Sequence, residues 1–137
     1  KSALEMAEGY EHLDTGFEIL YVQEDTMYKK PLESDWKTFR KRVPEWRERY
    51  LKRKNRDIVN RLTAPGKTAP EQFWDARQTL DEEARTLREC LDGHSRSKMQ
   101  WYLILMYRHG LIHDSDLNEL SEEVLDHVLK ASKVFDE

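Results

Sequence analysis

The chain has 137 residues, of which 36% are charged and 38% hydrophobic, and its formal net charge is −4. That length fits one domain over 1–137, large enough to bury a core without metal or disulfide, and four Trp, six Tyr and four Phe exclude a wholly disordered chain. The single cysteine, Cys90, excludes an internal disulfide and suits a cytoplasmic setting, and no apolar run reaches the roughly 18–20 residues of a membrane span, so no membrane role is expected.

Charge is unevenly spread. Residues 1–35 hold three Lys and nine acids, net −6, whereas 36–62 hold eleven Lys/Arg and three acids, net +8. Residues 63–112 balance at seven each, and 113–137 hold two Lys and eight acids, net −6. Such blocks point to a surface that meets opposite charge, in a partner or within the fold. The opening Lys1-Ser-Ala-Leu-Glu-Met has no apolar stretch behind it and is not expected to be a signal peptide.

In 1–22, Met6, Tyr10, Leu13, Phe17 and Leu20 recur at spacings of four, three, four and three, which predicts a helical stripe. Gly9 and Gly16 weaken it by about 1 kcal/mol each. Residues 17–22 are also rich in β-formers, but a lone strand has no evident partner, so helix is the expectation. Residues 24–33, with Lys29-Lys30-Pro31, read as a loop.

Ser34 or Asp35 is placed to cap a helix running to about Leu62. Trp36, Phe39, Val43, Trp46 and Tyr50 make one stripe along it, and Pro44, which lacks an N–H, predicts a kink or a restart. Leu51, Ile58 and Leu62 lie about a third of a turn away from that stripe, which suits a helix covered there by something else.

Thr63–Ala69 reads as a loop, and Thr68 with Glu71 forms a capping box with Pro70 in the first turn. From Pro70 to Leu91, Phe73, Ala76, Leu80, Ala84, Leu87 and Leu91 form a narrow seam expected to pack on the core. Gly93 ends that helix. Ser95 or Ser97 starts the next, and Gly110 closes it after Arg108 and His109. Within it, eight of the nine residues Met99–Tyr107 are apolar or aromatic. A run with no polar side predicts burial all round. Asp114 or Ser115 then caps a helix with the stripe Leu117, Leu120, Val124, Val128, Ala131 and Phe135, which Ser121 is placed to interrupt.

Motifs that carry chemistry are weak. Gly66-Lys67-Thr68 resembles the tail of a phosphate loop, but Arg61 stands where that motif needs Gly, so a turn with a capping box is expected. His109 and His113 are separated by a helix-ending Gly110, and Glu123 with His127 has no matching pair on a second helix, so no metal or other cofactor is expected. Cys90 and His94 are four apart, but the chain turns at Asp92-Gly93, and an inert thiol is the expectation. Arg96 and Lys98 at a helix start read as ordinary capping. A helix-turn-helix over 97–109 and 115–130 would carry five acids, Asp116, Glu119, Glu122, Glu123 and Asp126, on its reading helix, which phosphate repels.

These readings predict an all-α bundle of four or five helices, with an apolar central helix over 98–109 and a Pro-kinked basic helix over 35–62 across one side. The expected function is non-enzymatic: an interaction or regulatory module that self-associates or binds an acidic protein partner. The residues expected to carry it are Arg47, Arg49, Leu51, Arg53, Lys54, Arg56, Ile58 and Leu62. The alternative is a nucleic-acid-binding protein using the Arg/Lys-rich helix 36–62, with Trp46 and Tyr50 nearby.

Overall fold

A computed structural model describes residues 32–136, and the expectations for 1–31 lie outside the described residues. Among those described, the chain is all-helical: α1 Glu33–Leu62, α2 Ala69–Leu91, α3 Met99–His109, α4 Asp114–Leu117 and α5 Glu122–Asp136, with a 3-10 turn at Arg96–Lys98. The helices form a small bundle in which α1 pairs with α2, and α3 packs against both α2 and α5.

The apolar run is α3, and its neighbours enclose it. Met99, Leu103, Ile104 and Met106 are fully buried, and Gln100, Trp101 and Leu105 nearly so. Tyr102 and Tyr107 are half-buried, because each sends its phenol to a surface acceptor: Tyr102 Oη donates to Asp92 O at 2.7 Å and Tyr107 Oη to Asp114 Oδ1 at 2.6 Å. An amphipathic tyrosine buries its ring this way without burying an unpaired hydroxyl. Gly110 ends α3 in the left-handed region at φ 82°, and this lets the Leu111 N–H reach Met106 O at 2.8 Å. Leu111 and Ile112 then turn inward and are buried.

α1 buries Phe39, Val43, Trp46 and Tyr50 of the predicted stripe, together with Asp35, while Trp36 is half-buried against the core. Pro44 lies inside α1 on its exposed side, and the helix continues through it. The cap differs from expectation. Leu32 occupies the N-cap position and no side chain caps α1; Asp35 sits one turn in and accepts from Ser121, from N at 2.9 Å and from Oγ at 2.7 Å. Ser121 interrupts the last stripe as expected, so a carboxylate of the first helix holds the chain where α4 and α5 part. Leu117, Leu120, Val124, Val128 and Ala131 are buried, and Phe135 packs on Trp101 at 5.6 Å between ring centroids.

α2 begins with the predicted capping box: Thr68 N donates to Glu71 Oε1 at 2.9 Å, and Glu71 N to Thr68 Oγ1 at 3.3 Å. Its seam does not pack on the core over its whole length. Leu87 and Leu91 lie against the core, but Phe73 and Leu80 are about half exposed, at 54% and 48%. The reason is length. Beyond Tyr50, α1 continues for twelve residues, about 18 Å, and α2 returns alongside it. Between Leu51 and Glu82 the only buried residue is Ala76. Among the described residues, the far half of this hairpin has only its own partner helix to cover it.

Candidate interaction surface

α1 carries two different surfaces. Several of its cations are held within the chain. Arg49 grips Asp116 with both arms of its fork, Nη1 to Oδ1 at 3.2 Å and Nη2 to Oδ2 at 2.7 Å, and Nη2 also donates to Leu111 O at 2.9 Å. Arg42 spans Glu45 at 2.8 Å and Glu119 at 2.7 Å. Arg53 donates to Gly110 O at 3.0 Å, closing over the end of α3, and its guanidinium lies over the Tyr50 ring. Lys54 sits 3.6 Å from Glu83, to which Tyr50 also donates a hydrogen bond.

The titration of these groups follows from that geometry. Burial pulls the Asp116 carboxyl upward, but the Arg49 fork and the His113 N–H outweigh it and hold the group below the usual carboxylate range. Burial, then the Glu83 carboxylate, pushes the Tyr50 phenol well above its ordinary value, so it stays a neutral donor. A groove of about 290 Å³ runs between Arg42, Trp46, Arg49, Asp116 and Glu119. Its cations and carboxylates already satisfy each other, which leaves little free charge for an anion.

The predicted site residues therefore divide. Arg49, Arg53 and Lys54 are tied to partners in the fold. Leu51 and Ile58 are half-buried. Arg47 and Arg56 are exposed and make no ion pair among the described residues, and Leu62 is 45% exposed. The sequence reading missed the strongest feature. Phe73 and Trp74 pack edge-to-face at 4.9 Å between centroids, yet Trp74 is 60% exposed, and Val59 on α1 is 56% exposed. Leu62 and Leu80, also exposed, lie on the same projecting half of the hairpin. Lone exposed apolar residues are ordinary, but two exposed aromatics packed on each other are not, and such pairs are enriched at interaction sites. The signal was present: Trp74 lies about 100° off the α2 seam, on what otherwise reads as the polar side.

The Cys90 thiol is buried and its pKa is pushed up to about 12 by that burial, and the His94 imidazole bonds the Cys90 carbonyl at 2.8 Å. Among the described residues no group of three His, Cys, Asp or Glu side chains is placed to hold a metal. Among them, too, no helix is long and apolar enough to cross a membrane.

Comparison of the chain with protein-family models, with curated proteins and with solved structures gave no match.

Proposed function

We propose that this protein is a non-enzymatic interaction module whose docking surface is the projecting half of the α1–α2 hairpin, and that its partner presents an acidic amphipathic helix. The observation that carries this reading is the half-exposed Phe73–Trp74 pair beyond the end of the core. Covering the exposed part of each ring is worth about 1–2 kcal/mol. The same end of α1 supplies the charge. Residues 47–62 hold seven cations and two acids, net +5, and Arg47, Arg56 and Arg61 are exposed with no ion pair among the described residues. An apolar centre with exposed arginines on its α1 side suits an acidic helix laid along that side of the hairpin.

The nucleic-acid alternative has less support, since Arg42, Arg49, Arg53 and Lys54 already have partners in the chain. A cytoplasmic setting belongs to the same proposal and rests on the one buried thiol.

The test uses a fluorescein-labelled amphipathic peptide with Leu at helical three-four spacing and Glu and Gln elsewhere. Its affinity should fall at least tenfold when Phe73→Ala and Trp74→Ala are combined, and binding should persist in 0.5 M salt. Equal affinity for the double variant would overturn the reading. So would mixed-sequence RNA binding that Arg47→Glu with Arg56→Glu abolishes and the aromatic variant leaves intact.

A further inference from the structure

The offset stripe of α1 and the exposed end of the α2 seam lie on one side of the hairpin. Lys54 faces α2, since it meets Glu83, and Ala76 faces α1, since it is buried where α1 is the helix beside it. At about 100° per residue, Leu51, Ile58 and Leu62 stand roughly 40–80° round α1 from Lys54. Phe73 and Leu80 stand roughly 40–60° round α2 from Ala76, in the same sense. The two helices run antiparallel, so the same sense of rotation brings both sets to the same side. Trp46 and Tyr50, which face the core, lie roughly 40–80° from Lys54 in the opposite sense. The five apolar residues therefore form a face turned away from the core. Leu51 and Ile58 on it are half-buried, and Leu62, Phe73 and Leu80 are about half exposed.

We infer that this face is covered by the same face of a second copy, the two hairpins meeting across a twofold axis as an antiparallel four-helix bundle. The inference goes beyond the docking reading and shares only Phe73 with the aromatic pair that carries it. Trp74 lies a further ~100° round α2, off this face.

Width, spacing and charge select a second copy. The face is two helices wide, so a single helix fills the groove and leaves both ridges wet, whereas a two-helix layer covers them. Leu51 and Ile58 are seven apart, as are Phe73 and Leu80, and Leu62 follows Ile58 by four. That is the repeat by which antiparallel helices interdigitate, and an identical hairpin offers it at matching length. Positions 51, 55, 58 and 62 with 73, 77, 80 and 84 hold one charged side chain, Arg77, which Asp81 pairs at 3.2 Å. Two identical faces thus meet without opposing unpaired like charges.

The area sets the strength. Twelve residues of two adjacent helices make a face about 18 Å long and about 20 Å wide. The accessible area of such a ridged surface exceeds its projection, and pairing buries on the order of 1,000 Å² in total, the small end for a specific interface. The pair should therefore dissociate in the micromolar range.

The experiment is sedimentation velocity on the full chain in 0.5 M salt. Its mass should rise from 16.5 kDa toward twice that value as concentration passes through the micromolar range. Leu62→Glu with Leu80→Glu, both at exposed positions, should hold it at the lower mass with an unchanged helical circular dichroism spectrum. Asn60→Glu, on the opposite side of α1, should leave the dimer intact. A monomer at every concentration overturns the inference, as does a dimer that the double variant keeps or that Asn60→Glu abolishes. A second readout does not depend on the folding of the double variant. Nitroxide labels at Asn55→Cys, on the face, should lie closer together between copies than labels at Asn60→Cys, the buried Cys90 staying unlabelled. Equal distances, or the reverse order, would place the contact elsewhere and overturn the inference.

Discussion

Replacing Asp35 with Ala should destabilise the fold by about 2–3 kcal/mol, although Asp35 makes no contact with the central helix that any stripe in the sequence would suggest. Its carboxylate is 4% exposed and accepts two hydrogen bonds from Ser121, at 2.9 and 2.7 Å. Bonds to a charged acceptor contribute about 1.5–3 kcal/mol each, and relief from burying the carboxylate offsets part of their loss. The Ser121 N–H and hydroxyl would be left half-buried, and Ser121 also leads into α5, where its Oγ lies 3.4 Å from the Val124 N–H. Asn at position 35 keeps one acceptor and should cost about half as much. Urea unfolding gives the free energies, with an unchanged slope confirming that the same two states are compared. A double-mutant cycle with Ser121→Ala should return a coupling of at least about 1 kcal/mol. A loss under 0.5 kcal/mol for Asp35→Ala, or additive single losses, would refute the argument that this contact ties the first helix to the last.

Three further outcomes follow from the same geometry. Arg49→Ala should cost about 1 kcal/mol, kept small because the guanidinium is partly exposed. Because the Asp116 pKa is depressed in the folded chain, its stabilisation is present above the unfolded value near 4 and is lost as pH falls through the folded one; urea midpoints from pH 5 to 3 should therefore fall less steeply in Arg49→Ala. His94 is held below its ordinary pKa mainly by burial, between Phe39 and Tyr102, so the folded state prefers neutral imidazole. Stability should be full above the unfolded value near 6.5 and fall as pH drops below it, and His94→Gln should flatten that slope between pH 7.5 and 5.5 in urea titrations. Gly110→Ala should cost about 1 kcal/mol or more by thermal melting, because φ is +82° and the added Cβ would lie 3.4 Å from Arg53 Nη2; an unchanged melting temperature would show that α3 does not need this cap.

Much of the fold was legible because helical periodicity, caps and stops are local. The capping box at Thr68–Glu71, the stop at Gly110, the break at Ser121 and the burial of Met99–Trp101 and Leu103–Met106 each depend on residues a few positions apart. The candidate surface was legible only in outline. Position on one helix does not say which cations meet an acid 67 or 77 residues away, as Arg49 and Arg42 do. Nor does it say where a seam outruns its core, which is why Phe73 and Leu80 read as buried and Trp74 went unremarked.

By itself, then, the order of residues determined the helices, their ends and the identity of the buried rod, because each follows from the 3.6-residue turn and from neighbours within one or two turns. Tertiary structure alone decided that Asp35 serves Ser121, that Arg42, Arg49 and Lys54 of the basic helix meet acids from other helices, and that the hairpin leaves Phe73 and Trp74 half exposed. Those outcomes depend on distances between segments far apart in the chain, and a helical period carries no information about them.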